Sequence, residues 1–385
     1  MKVWLCYANV GGGHRGAAHA IADAFAEKKE KVEITYVDLA GGLGPTRRTL
    51  FEGGYAWLID RADWLYRLLY FVSQWRPLAA FENFLMAIGN QRPLLDRLRN
   101  NPPDLIVSTY FLTAPLRAAL KRLKLHIPIV VIVTDPFTVH PIWLLDRDLP
   151  HIVLSDAARQ LILASHGITV EKLVAVPPLV NHRLPAGYDA ERLDRFKTEH
   201  GLPKDEPIVL LVGGGNGFPK GEAMLESLLT TKLAATIVVV CGSNRKLKAA
   251  AEQLRTRSKR TVIVLGYVDY VPELIAAAQV VITKAGSGVL MEAVVQKKPI
   301  VVAHYIWGQE KGNVDFIVNK KLGFYEPNPK ALALLTERLL FDANVRQSVA
   351  DAYERLSFHS GNDTVVATIL TSANLETEQK SAVAT

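Results

Sequence analysis

Residues 284 to 293 read Lys-Ala-Gly-Ser-Gly-Val-Leu-Met-Glu-Ala, and the apolar run Val280 to Thr283 feeds them as a strand feeds a helix. Gly286 and Gly288 let the backbone approach an anionic group closely, while the free N–H groups and positive dipole end of the following helix face that anion. Ser287 and Val289 belong to the same turn, and Glu292 supplies a carboxylate able to accept both hydroxyls of a ribose. This chemistry suits a nucleotide sugar. The same residues also compose an ordinary strand-to-helix turn with a solvated Glu. Downstream of the strand Pro299 to Ala303, the cluster Tyr305-Ile-Trp-Gly-Gln-Glu-Lys-Gly-Asn313 places Gln309, Glu310 and Asn313 where a second loop of the same sheet emerges. They are candidate partners of sugar hydroxyls, although Gln and Glu equally suit the first turn of a helix. A third turn, Gly213-Gly-Gly-Asn-Gly217, offers Gly213, Gly215 and Asn216 to phosphate or acceptor groups.

Near the start of the chain, the strand Val3 to Ala8 runs into Gly11-Gly-Gly-His-Arg-Gly16. Read literally this is G-x-G-x-x-G, with Asp38 closing the second strand, so a nicotinamide-dependent oxidoreductase is the rival reading. Against it, His14 and Arg15 crowd the turn, and the loop at 286–292 is left without a role. In a transferase, His14 is the candidate general base, because an imidazole of ordinary pKa near 6.5 can take the proton of an attacking hydroxyl. A His that merely caps the helix is the alternative. Asp135, at the end of Ile129 to Thr134, either orients His14 or replaces it, and an Asp before Pro136 also starts turns. Asp146-Arg-Asp148 has the spacing of a metal-binding D-x-D pair but lies in a charged loop beside Pro150. No metal is expected there.

These groups need elements to hold them. With 385 residues, 49% hydrophobic and 22% charged, the chain has enough apolar content for two to three globular domains. Val3 to Ala8, Val32 to Asp38, Leu105 to Ser108, Ile129 to Thr134 and His151 to Ser155 read as strands alternating with helices, the pattern of a parallel α/β sheet. A proline-rich stretch breaks the alternation. Ile208 to Val212, Thr236 to Cys241, Val262 to Leu265, Val280 to Thr283 and Ile300 to Ala303 then build a second sheet. The expected division is an acceptor and membrane-binding domain at 1–180, a linker at 181–206 and a nucleotide-sugar domain at 207–345. A C-terminal helix at 346–370 and a disordered polar tail at 371–385 follow.

No run of 18 apolar residues exists and Val3 to Val10 is too short for a secretory signal, so a cytosolic-side protein is expected. Cys6 and Cys241 lie in separate apolar runs and suit buried thiols. The net charge of +7 favours an anionic partner. Between Arg47 and Arg99 stand eight Arg and no Lys against five acids, interleaved with aromatics that include Trp57, Trp64 and Trp75. Rings beside guanidinium groups are favoured at a membrane interface; a helix pair with core aromatics is the bland reading. No nucleic-acid module is present, and no nucleic-acid partner is expected.

Gly286-Ser-Gly-Val-Leu-Met-Glu292 followed by Gly308-Gln-Glu-Lys-Gly-Asn313 resembles the monogalactosyldiacylglycerol synthases and bacterial diacylglycerol β-glucosyltransferases. Gly11-Gly-Gly-His-Arg15, Val133-Thr-Asp135, His140, Trp143 and Leu211-Val-Gly-Gly-Gly-Asn-Gly217 extend the resemblance, which reaches more distantly to the lipid II synthase of peptidoglycan assembly. It implies two facing Rossmann-like doubly wound domains, the glycosyltransferase B architecture, with the last helix crossing back to the first domain. It also implies an inverting transfer of galactose or glucose from a UDP-sugar to diacylglycerol at the cytoplasmic face of a membrane, by a peripheral enzyme that needs no cofactor. The resemblance places Gly12, Gly13, Arg15, His140 and Trp143 on the acceptor side, and His140 is otherwise a loop residue. Val289 stands where relatives usually carry Thr, and Trp307 where Pro is usual. A non-catalytic nucleotide-sugar-binding protein is the alternative outside enzymes.

Overall fold

A computed structural model describes residues 1–8, 12–28, 31–39, 54, 58, 62–88, 91–165, 167–180, 189–215, 217–356 and 358–384. The chain divides into two compact units: Met1–Leu179 with Trp307–Gln309 and Ser360–Thr385, and Val180–Ile306 with Glu310–His359.

The first unit is built on six parallel strands: β1 (Lys2–Tyr7), β2 (Glu33–Asp38), β3 (Leu105–Ser108), β4 (Ile129–Val133), β5 (His151–Val153) and β6 (Leu173–Ala175). Their spatial order is β2-β1-β3-β4-β5-β6. Because helices cover both faces, these strands are apolar throughout rather than alternating; all five residues of β4 are buried. In β1, Val3 and Leu5 pack into one core, with the helices Gly13–Glu27 and Asn362–Ala384, while Trp4 and Cys6 pack into the other. Chain order reverses between β1 and β3, so loops leaving the carboxyl ends of these neighbours flank a crevice suited to ligands.

The second unit repeats the plan with β7 (Ile208–Val212), β8 (Thr236–Val240), β9 (Val262–Leu265), β10 (Val280–Lys284), β11 (Ile300–His304) and β12 (Gly323–Tyr325), in the order β12-β11-β10-β7-β8-β9. Here the reversal falls between β7 and β10. The turns after those two strands are the glycine turn at 213–217 and the turn at 284–288.

All ten expected strands are present, and β6 and β12 are additional. Each of the two is three residues long and lies at a sheet edge, mostly unburied, where no apolar run marks it. Two boundaries are corrected. Ala190–Glu199, inside the expected linker, is a helix of the second unit: Asp189 caps it by accepting from the Arg192 N–H at 2.6 Å, and buried Phe196 meets Tyr270 with ring centroids 5.7 Å apart. The expected disordered tail is a continuation of the final helix, Asn362–Ala384. Val365, Val366, Ile369 and Ala373 recur at helical spacing as a buried stripe, and the nearly buried Glu376 accepts from the Ile129 N–H at 2.8 Å. Gly361 is required at the entrance to this helix, since a Cβ there would sit 2.0 Å from the Pro177 carbonyl oxygen.

Candidate active site

His14 is the second residue of the helix Gly13–Glu27, the next element after β1. Its Nδ1 lies 2.9 Å from the Thr109 carbonyl oxygen and 2.9 Å from Thr134 Oγ1. A carbonyl oxygen only accepts, so Nδ1 carries the proton and the lone pair resides on Nε2. Thr109 follows β3, Thr134 follows β4, and His14 follows β1. Three adjacent strand ends therefore converge on one imidazole. Thr109 is fully buried, is anchored by its N–H to the Cys6 carbonyl at 2.8 Å, and returns a bond from Oγ1 to the His14 carbonyl at 2.8 Å.

Tyr110 meets the His14 ring edge-on at a centroid distance of 4.9 Å, and Trp143 lies 5.8 Å away. Desolvation among these groups lowers the His14 pKa to about 4 against the opposing pull of the Thr109 carbonyl. At neutral pH the ring is therefore neutral, and its Nε2 is a weaker base than free imidazole. Thr109 and Thr134 supply orienting oxygens at Nδ1. Asp135 accepts from Trp143 Nε1 at 3.0 Å, which fixes the carboxylate beside the ring that flanks His14.

His140 is engaged at both nitrogens. Its Nδ1 accepts from the Ile142 N–H at 3.2 Å and caps the short 3₁₀ turn Pro141–Leu144, and its Nε2 lies 3.2 Å from Ser73 Oγ. Gly12 and Arg15 are exposed and Gly13 is half-buried at the helix start. Asp146 and Asp148 are both held by Arg117, whose Nη1 lies 2.9 and 2.6 Å from them, so both carboxylates of this D-x-D pair are engaged in an ion-paired clamp. Trp64 and Trp75 are 70% and 68% exposed, whereas Tyr66 is buried, so the aromatic segment divides between surface and core. Trp57 and Asn216 lie outside the described residues.

In the second unit, Gly286 ends the turn after β10 as the N-cap of the helix Ser287–Val295, with no side chain capping its first N–H groups. A Cβ on Gly288 would meet nothing within 4 Å. The fold therefore does not demand glycine at 288, where a side chain would have open space; at Gly286 a Cβ would meet Lys284 Nζ at 2.9 Å. Ser287, Val289 and Glu292 are half-buried on this helix. Two of the expected sugar partners also make contacts within the protein, while the buried Asn313 Oδ1 has no hydrogen-bond partner among the described residues. Glu310 is 6% exposed; its Oε1 pairs with Lys284 Nζ at 2.9 Å and its Oε2 accepts from the Ile306 N–H at 2.8 Å. Asn313 is buried and donates from Nδ2 to the Ala285 carbonyl at 2.7 Å. Both clamp the turns after β10 and β11 rather than presenting polar atoms to solvent. Gln309 is half-buried and groups with the first unit.

The turn at 213–217 is dictated by packing. A Cβ on Gly213 would lie 2.2 Å from the Gly217 carbonyl oxygen, Gly217 has φ +79°, and the Gly215 carbonyl accepts from both N–H and Oγ of Ser243 at 2.9 and 3.0 Å. Gly215 itself has open space where a Cβ would be. Thr109, Thr134, Tyr110 and Lys284 were not nominated from sequence. Thr134 lies inside Val133-Thr-Asp135 and Lys284 opens the glycine turn, so both were locally visible; Thr109 is signalled only by strand order.

Residues 14–176 match the family described as monogalactosyldiacylglycerol (MGDG) synthase, and residues 208–324 match the glycosyltransferase family 28 C-terminal domain. A Glycine max protein named "Probable monogalactosyldiacylglycerol synthase, chloroplastic" is 30% identical over 348 residues, covering 86% of this chain; the chain spans 64% of that relative's length. Among solved structures, Acinetobacter baumannii MurG aligns with a TM-score of 0.56 at 12% identity, over 96% of this chain and 100% of that one. The S. aureus MnaA–UDP co-structure aligns at 0.59 and 14% identity, over 94% and 92%. At such identities the structural matches establish a shared fold, the two-sheet glycosyltransferase B architecture.

Proposed function

We propose that the chain is a member of the monogalactosyldiacylglycerol synthase family and that it transfers a hexose, galactose or glucose, from a UDP-sugar to diacylglycerol at a membrane surface; the matches to that family over residues 14–176 and to the glycosyltransferase family 28 C-terminal domain over 208–324 support this reading. The observation that carries the reading is the His14 tautomer: Nδ1–H held by Thr109, the Nε2 lone pair left to accept a proton, at the carboxyl ends of β1, β3 and β4.

In the proposed reaction the acceptor hydroxyl attacks the anomeric carbon, the bond from that carbon to the diphosphate oxygen breaks, and the hydroxyl proton passes to His14 Nε2. One displacement inverts the centre, so an α-linked donor gives a β-glycolipid. A base with a pKa near 4 suffices when the proton leaves late, because the attacking oxygen becomes strongly acidic as it bonds to the oxocarbenium-like carbon. The uncapped N–H groups of Ser287–Val295 and its dipole are suited to the departing diphosphate, with Glu292 on the ribose. Asp135 holds the Trp143 wall beside the base. Gln309 remains a proposed sugar contact; Glu310 and Asn313 support the loop.

The proposed membrane surface is the outer face of the helix Asp63–Ser73 and the adjoining residues. Trp64, Leu68, Phe71 and Trp75 are 70%, 52%, 67% and 68% exposed, and rings of this size give roughly 3 kcal/mol each when removed from water. No helix among the described residues is long and apolar enough to cross a membrane. The proposed attachment is peripheral, through this exposed face, and the proposed side of the membrane is the cytoplasmic one. Incubation with labelled UDP-galactose or UDP-glucose and diacylglycerol liposomes should place label in a β-linked lipid product. Saturable NADH binding with no labelled lipid would overturn the proposal.

A further inference from the structure

The helix Asp63–Ser73 has two faces. Trp64, Leu68 and Phe71 point to solvent, while Tyr66 and Ser73 are 7% and 8% exposed. Ser73 Oγ donates to the Tyr70 carbonyl at 3.0 Å, leaving its lone pairs for the Nε2–H of His140 at 3.2 Å; the Tyr70 ring lies 4.8 Å from the same imidazole. His140 then has only its unprotonated Nδ1 to offer the Ile142 N–H, and that bond caps the turn bearing Trp143. Trp143 in turn donates to Asp135 and stands against the His14 ring. Hydrogen bonds thus run from the inner face of an exposed apolar helix to the turn bearing Trp143, whose ring contact completes the link to the proposed base.

We propose that Ser73 and His140 are positioning residues that couple seating of the helix Asp63–Ser73 on a lipid surface to the placement of Trp143 and Asp135 beside His14. This rests on the glycolipid-forming reading above. Neither residue touches the reacting atoms. A bilayer that fixes the helix holds Ser73 in place, Ser73 fixes the His140 tautomer, and that tautomer keeps the 3₁₀ turn closed.

The test uses the whole protein with phosphatidylcholine–phosphatidylserine vesicles. In the unsubstituted protein, vesicles should slow hydrogen exchange of the Ile142 and Trp143 amides at least about fivefold. In Ser73→Ala the slowing should vanish. His140→Asn, which keeps an acceptor for the Ile142 N–H but is too short to reach Ser73, should behave as Ser73→Ala does. For transfer, the ratio of kcat on vesicle-borne diacylglycerol to kcat on a detergent-dispersed short-chain acceptor should fall about fivefold in Ser73→Ala with UDP affinity unchanged. A merely structural role would lower both rates together. Vesicle protection of the turn persisting in both variants would overturn the coupling, whatever the transfer assay shows. If the unsubstituted protein forms no glycolipid yet the exchange pattern appears, the coupling stands and the functional reading falls.

Discussion

His14 and Thr109 bind each other twice: His14 Nδ1 is 2.9 Å from the Thr109 carbonyl, and Thr109 Oγ1 is 2.8 Å from the His14 carbonyl. Ninety-five residues separate them in sequence. The pair fixes the ring's tautomer and its position, which is the pre-organisation a general base needs.

Replacement His14→Ala should lower kcat by roughly two orders of magnitude or more while UDP affinity is retained. Turnover and UDP titration measured on the same preparation decide it; near-normal turnover removes His14 as the base. Thr134→Val, which deletes the second oxygen on Nδ1 but leaves the Thr109 carbonyl, should cost about fivefold in kcat.

The acid limb of the rate profile should fall near pH 4 rather than 6.5, because burial lowers the His14 pKa. Stability should follow the same group. Between about pH 6.5 and 4 the unfolded chain protonates at this His while the native protein does not, so stability decreases as pH falls through that window. Above it, both states are neutral and the contribution vanishes. The ring is only half-buried, so solvent screening reduces the effect below the limit of about 3 kcal/mol set by the shift. Thermal unfolding of His14→Asn across pH 4 to 7 should show a shallower acid dependence than the unsubstituted protein.

Gly288→Ala separates a ligand role from a folding role. A methyl group there meets nothing in the protein, and alanine is the better helix former, so stability should be unchanged or rise by up to about 1 kcal/mol. UDP affinity should nevertheless fall by roughly tenfold or more, since the methyl occupies the approach to the helix N–H groups. Calorimetric titration with UDP that shows no loss would move the donor phosphates elsewhere.

Lys284→Met should leave the buried Glu310 carboxylate with one fewer partner, destabilising the protein by about 2 kcal/mol. Donor binding should weaken with it as the turns after β10 and β11 loosen. Glu310→Gln should cost less, because the neutral amide can still accept from the Ile306 N–H. Weaker donor binding in Glu310→Gln at unchanged stability would assign Glu310 a direct contact with the sugar.

Trp64→Ser together with Trp75→Ser should weaken liposome binding without changing UDP affinity, since both rings are mostly exposed. Co-sedimentation with anionic vesicles reads the first quantity and calorimetry the second. Unaltered co-sedimentation would exclude this face as the lipid-binding surface.

Strand and helix identity was legible in the sequence wherever a local pattern carried it. The apolar runs at Ile129 to Val133 and Ile208 to Val212 announce buried parallel strands, and the glycines near Gly13 and Gly286 mark where helices begin. His14 could be nominated from its neighbours alone. Its partners could not, because Thr109 and Thr134 reach it only through the lateral order β1-β3-β4, which no short-range periodicity encodes. The same limit explains Glu310 and Asn313: as isolated polar residues after a strand they resemble sugar ligands, and only the fold turns them inward onto Lys284, Ile306 and Ala285. It explains the C-terminus as well, where Val365, Val366, Ile369 and Ala373 become a packed helix because the first sheet offers an uncovered apolar face. Residue type and spacing determined which groups were available for chemistry; burial and partner choice, set by contacts between distant segments, decided which of them remain open to a ligand.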